Sequence, residues 1–157
     1  CRVYRESYGL FACSGILFNH ESPRRGLNFV TRKITSYLGS RRWVGTDVPL
    51  KLGNLQAHRD WGHAADYVRG MHLMLQHKKA DDYVLATGET HTVHDFLATA
   101  FEHAGVPVED NVTYDSSLYR PCEVPYLRGD ASKARRVLGW VPSTSFQDMI
   151  AEMVEHG

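Results

Sequence analysis

The feature that most constrains this chain is a short apolar run that stops abruptly. Residues 10–18 are apolar except around Cys13, Ser14 and Gly15, and they give way to eight polar or turn-forming residues, Asn19 to Gly26. An amphipathic segment, residues 29–38, follows at once. A run of that length, bounded by breakers, is too short for a typical helix and reads as a buried parallel strand. In an open α/β sheet the loop at a strand's carboxyl end is where ligands bind. Here the loop and the segment after it carry Arg24, Arg25, Arg32 and Lys33 beside Asn19, His20, Ser22 and Thr31. These side chains suit phosphate and sugar oxygens. On composition alone the same cluster also reads as a solvated basic loop.

The remaining pattern alternates strand and helix. The amphipathic segment predicts a helix closed by Gly39-Ser40, and residues 50–55 a short strand. Residues 61–76 read as a helix whose core side includes Trp61, Tyr67, Met71 and Met74, and residues 83–86 as a strand. Thr92-Val-His-Asp95 has the form of a capping box opening a helix that stops at Gly105. A short strand is expected within residues 106–114, a long loop over 115–124 and a minor strand at 126–128. Asp130 is expected to cap a short helix, and Thr144-Ser-Phe-Gln147 to box a terminal one ending near Glu155.

The 157 residues suffice for one domain with a real core. Lys plus Arg and Asp plus Glu number 18 each, so no general pull towards nucleic acid or an anionic membrane exists, and any phosphate chemistry must be local. Neither a membrane-length apolar run nor a signal peptide is visible. Cys1, Cys13 and Cys122 are odd in number and lack metal-type spacing, which points to a reducing cytoplasm.

Longer motifs narrow the reading. Asn19-His-Glu-Ser-Pro-Arg-Arg-Gly26 with Phe29-Val-Thr-Arg-Lys-Ile34 is followed by Leu52-Gly-Asn-Leu55, Arg59-Asp-Trp-Gly-His-Ala64 and Ala86-Thr-Gly-Glu-Thr-His91. Tyr119-Arg-Pro121, Glu123-Val124, Gly129-Asp130, Ser132-Lys-Ala134 and Leu138-Gly-Trp140 complete the series. In this order, over nearly the whole chain, they resemble the GDP-mannose 4,6-dehydratase family of the extended short-chain dehydrogenase/reductase superfamily. The resemblance implies an α/β fold: the C-terminal part of a Rossmann-like doubly wound sheet with a smaller mixed α/β substrate-binding domain. Rossmann elements are expected at about residues 1–40 and 56–90, interleaved with substrate-binding segments.

That family uses a bound NADP to take hydride from the sugar and return it after water leaves, with a Tyr-x-x-x-Lys pair polarising the reacting hydroxyl. None of the five lysines stands four residues after a tyrosine, and no glycines take the dinucleotide-fingerprint spacing. The chain is expected to start just after the catalytic lysine and to hold the ligand-binding half, so no catalytic residue is assigned. By resemblance, His20 and Arg25 contact NADP, and Asn19 marks the boundary between cofactor and sugar nucleotide. Lys33, Asn54, Arg59, Arg120 and Glu123 are expected to hold GDP-mannose. Arg59, ahead of a helix starting at Gly62 or His63, and Arg120 are the expected pyrophosphate contacts, with Glu123 placed for ribose or guanine groups.

Glu21 reads as structural, and His91-x-x-His94 straddles a capping box, so no metal is expected. Leu27, Cys122, Pro125 and an altered connector over residues 37–52 depart from the family pattern and bear on fine substrate preference. The complete protein is expected to form a dimer or tetramer. Two alternatives stand: another nucleotide-sugar epimerase or reductase of the superfamily, or a non-catalytic fragment that binds a nucleotide or partner.

Overall fold

Parallel pairing dominates the architecture. In this computed structural model, which describes residues 1–44, 48–119 and 122–157 (side chains of 42–44 excepted), strand β1 (Ser14–Leu17) runs parallel to β6 (Asp82–Leu85). Strand β2 (Asn19–Glu21) runs parallel to β5 (Trp61–His63), and β3 (Leu50–Leu52) to β8 (Val112–Tyr114). The two-residue strands β4 (His58–Arg59) and β7 (His91–Thr92) form an antiparallel pair. Parallel neighbours so far apart in sequence need crossover connections, and α3 (Ala64–Gln76) lies on the route from β5 to β6.

The other helices are α1 (Arg2–Tyr8), α2 (Val30–Val44), α4 (Val93–Ala104), α5 (Ser132–Leu138) and α6 (Phe146–Glu155), with one turn of 3-10 helix at Ser116–Leu118. No described helix is long and apolar enough to cross a membrane. Helix α4 begins with a full capping box: Thr92 Oγ1 accepts from Asp95 N–H at 2.9 Å, and the Asp95 carboxylate accepts from Thr92 N–H at 2.8 Å.

Packing separates into two cores. One gathers Ile34, Leu38, Trp61, Phe96, Phe101, Met149 and Ile150 from α2, β5, α4 and α6. The other joins Tyr67, Met74, Tyr83, Leu85, Ala134 and Trp140 from α3, β6 and α5 with the tryptophan beyond it. A buried carboxylate cross-ties the chain between them: Asp60 accepts from Thr87 N–H and Oγ1 (2.9 and 2.7 Å), Gly88 N–H (3.0 Å) and Gly129 N–H (3.1 Å).

Several expectations need correction. Strand β1 is parallel, but it is shorter than residues 10–18 and is not buried: Ile16 is 54% exposed, because among the described residues β1 pairs only with β6. Helix α2 does not stop at Gly39-Ser40. A Cβ at Gly39 would meet the Gly157 carbonyl carbon at 2.3 Å, so this glycine permits a close backbone approach inside the helix. The expected helix over residues 61–76 opens instead with strand β5, which places Trp61 in the first core, and Met71 is exposed. The minor strand at 126–128 is a single bridge between His58 and Tyr126. At the last helix the cap is Ser145, not Thr144: Ser145 Oγ accepts from Asp148 N–H at 3.0 Å.

Candidate functional site: a cleft at the start of helix α2

The carboxyl end of β2 and the first turn of α2 form one wall of a cleft of about 300 Å³. The end of β3 and the turn after it form another, with Arg59, Trp61, Leu118 and Glu123 closing it. Helix α2 starts here because Phe29 N–H donates to Gly26 O (3.1 Å) in a turn, and Lys33 N–H then makes the first α-helical bond, to Phe29 O (2.9 Å). The N–H groups of the first helical turn lack partners within the helix and carry partial positive charge into the cleft.

Asn19, Lys33, Asn54, Arg59 and Glu123 all line this cleft. Glu123 sits between two donors, Asn54 Nδ2 at 2.7 Å and Arg59 Nη2 at 3.1 Å. Arg59 Nη1 also donates to the carbonyls of His58 (2.8 Å) and Val124 (2.7 Å), which fixes the guanidinium on β4. The helix after Arg59 begins at Ala64, not at Gly62 or His63, and is capped by the His63 ring, whose Nδ1 accepts from Ala65 N–H at 3.2 Å. Its N-terminus is not among the residues lining the cleft with Arg59. Arg120 lies outside the described residues. Arg32 turns away and donates to His156 O at 3.2 Å.

His20 and Arg25 line a separate, more apolar pocket of about 330 Å³ with Leu17, Phe18 and Leu127, and Asn19 lines both spaces. His20 Nδ1 lies 2.8 Å from Phe18 O, and its ring stacks on Tyr67 at 5.3 Å. Arg25 lies over the Phe29 ring at 3.5 Å. Its Nε is 3.2 Å from Glu21 Oε2, but it has no aligned hydrogen bond, so that contact is Coulombic.

Glu21 is 1% exposed and accepts from Thr31 Oγ1 at 2.6 Å. Burial pushes its carboxyl above the usual range, opposed by Thr31, Arg25 and His20. Burial likewise raises the Tyr67 hydroxyl, with Asp60, Asp66 and Glu21 adding to it. His91 stacks on Phe146 at 3.8 Å, and no cluster of three or more His, Cys, Asp or Glu that could hold a metal occurs among the described residues.

Sequence reasoning did not single out Lys51, which lines the cleft from β3. It could have been found from its place just before Leu52-Gly-Asn-Leu55. It also missed the cross-tying Asp60, although that residue lies inside the Arg59-Asp-Trp-Gly-His-Ala64 motif; its partners at residues 87, 88 and 129 are too distant in sequence to show there.

The family model described as GDP-mannose 4,6 dehydratase matches residues 1–153. The chain belongs to that family. GDP-mannose 4,6 dehydratase 2 of Arabidopsis thaliana is 60% identical over 152 residues, which cover 97% of this chain but 40% of that protein. The human GDP-mannose 4,6 dehydratase is 46% identical over 168 residues, covering 96% and 45%. The chain thus spans less than half the length of these dehydratases. Among solved structures, RMD from Pseudomonas aeruginosa, complexed with NADPH, superposes with a TM-score of 0.90 at 18% identity, covering 99% of this chain and 51% of that one. The dTDP-glucose 4,6-dehydratase of Bacillus anthracis, in complex with NAD, gives 0.83 at 16% identity, covering 98% and 47%. At such identities these likenesses speak to fold alone: α/β, of the Rossmann type.

Proposed function

We propose that this chain is the ligand-holding, C-terminal portion of a GDP-mannose 4,6-dehydratase, which converts GDP-mannose to its 4-keto-6-deoxy product with loss of water. The observation that carries the reading is that Asn19, Lys33, Asn54, Arg59 and Glu123, far apart in sequence, line one cleft at a helix N-terminus. A diphosphate needs converging cations and free N–H groups, and the first turn of α2 with Lys33 and Arg59 supplies both kinds. Glu123, held by Asn54 and Arg59, offers carboxylate oxygens to ribose hydroxyls or guanine N–H groups. In this reading Arg120 joins Arg59 at the pyrophosphate.

NADP belongs in the more apolar pocket beside His20 and Arg25, where it would supply the hydride exchange. The donor set fits a nicotinamide cofactor: an imidazole, an amide and a guanidinium whose buried Nε has no aligned partner, over an apolar floor. Asn19, shared by both spaces, orients one ligand against the other. The two cores support a division into a sheet part and a substrate part, with Rossmann elements near residues 1–40 and 56–90, although α2 packs into the core shared with α4 and α6. The protein works in the cytoplasm, where its three free cysteines stay reduced, and associates as a dimer or tetramer.

GDP binding tests the reading. We expect GDP to raise the melting temperature of the chain, and Arg59→Ala to weaken GDP binding by about 1.5–3 kcal/mol, the range for hydrogen bonds to charged groups. Absence of any GDP effect on the wild-type chain would falsify it. GDP-mannose with added NADP should yield no product from the 157-residue chain, because it contains no Tyr-x-x-x-Lys.

A further inference from the structure

Charge in the cleft is not balanced by the cleft's own residues. Arg59, the pyrophosphate contact proposed above, has its charge partly offset by Glu123, and Glu21 is offset by Arg25 and Thr31. Two amines remain, Lys33 on α2 and Lys51 on β3, and neither forms an ion pair among the described residues. They approach from different walls of the cleft.

Lys51 owes its place to strand alternation. Leu52 is buried in the first core and Leu50 packs against it, so the residue between them is left on the solvent side of β3. Its partner across the parallel pair is the neutral Thr113. Asp115, beyond the end of β8, makes no ion pair with Lys51; its Oδ1 accepts from Ser117 N–H at 2.9 Å and Ser117 Oγ at 2.6 Å. Those bonds hold its carboxyl below the usual range, and Lys51 contributes last and only through space.

We propose that Lys51 is a second phosphate-contact residue, facing Lys33 across the cleft, and that the pair makes the site select a nucleoside diphosphate over a monophosphate. The proposal rests on the GDP reading above and assigns one phosphoryl group to each wall. A flexible ammonium suits this role, since a point charge can follow a phosphoryl oxygen without fixed fork geometry.

The test measures fluorescent-GDP binding to the chain, with displacement by GDP, GMP and guanosine, at two ionic strengths. Lys51→Met should weaken GDP by about fivefold, the upper range for one exposed ion pair. Guanosine should displace equally well from both proteins, the preference for GDP over GMP should shrink, and the salt dependence of GDP binding should flatten. Lys51→Arg should restore affinity. A Lys51→Met chain that binds GDP like wild type overturns the proposal and leaves the GDP reading standing. So does one that loses guanosine in proportion, which would mean general damage. If the wild-type chain binds no GDP, both fall.

Discussion

Asp66 lies in the first turn of helix α3 with its side chain 3% exposed and four donors around it. Ser143 N–H (2.9 Å), Ser143 Oγ (2.7 Å), Thr144 N–H (3.0 Å) and Arg69 Nη2 (2.7 Å) all point at the carboxylate. Burial alone would push its carboxyl up, but the hydrogen bonds from Ser143, Arg69 and Thr144 outweigh it and hold it at about 2. A folded-state value below the ordinary 3.8 means stability that is fully present above pH 3.8 and is lost as pH falls through about 2. The shift corresponds to about 2 kcal/mol. Asp66→Asn should therefore lower the unfolding free energy, measured by urea titration at neutral pH, by about that much, and its deficit should narrow as pH falls through that window. A deficit unchanged down to pH 2 would sink the assignment. Only the Arg69 contact, three residues on, was legible locally; the other partners of Asp66 lie 77 and 78 residues on. Asn19 and Lys33 stood out by residue type around the first loop and Glu123 by the family resemblance, and all three line one cleft.

At the scale of elements, caps were readable and junctions were not. Thr92 and Asp95 specify their helix start in four consecutive residues, and the structure forms both bonds of the box. Near residue 145 two overlapping patterns satisfy the same rule, Thr144 with Gln147 and Ser145 with Asp148. In the second, Ser145 Oγ accepts from Asp148 N–H, and Phe146, the first residue of α6, then lies among Trp61, Phe96 and His91. Tertiary packing made that choice. Gly70, in the middle of α3, shows the same priority. A Cβ there would lie 2.6 Å from Leu85 Cδ1 and 2.9 Å from Trp140 Nε1, the atom that donates to Asp66 O at 2.8 Å. Helix propensity alone favours alanine by about 1 kcal/mol. We nonetheless expect Gly70→Ala to destabilise by about 1–3 kcal/mol, as overpacking does. A denaturation midpoint equal to or above that of wild type would show that β6 and the tryptophan can yield.

For the whole molecule, Val3, Tyr4, Tyr8, Leu10, Phe11 and Ile16 are all exposed along α1 and β1. An unpaired strand edge beside such a surface invites association. We expect the chain to bind a hydrophobic dye and to self-associate with rising concentration, measured by light scattering. A monodisperse monomer that melts sharply and binds no dye would contradict this. The resemblance foresaw a parallel α/β fold, whereas the open edge follows from β1 pairing, among the described residues, with β6 alone. The buried carboxylate of Asp60 has a kinetic corollary. It pins Thr87, Gly88 and Gly129, stretches outside every helix and strand, whose amides would ordinarily trade hydrogen for deuterium within moments. Because that knot closes a loop of 69 residues, it can come undone only when distant parts of the chain separate together. Those three loop amides should be among the slowest in the protein to exchange, marking the global opening rather than local fraying.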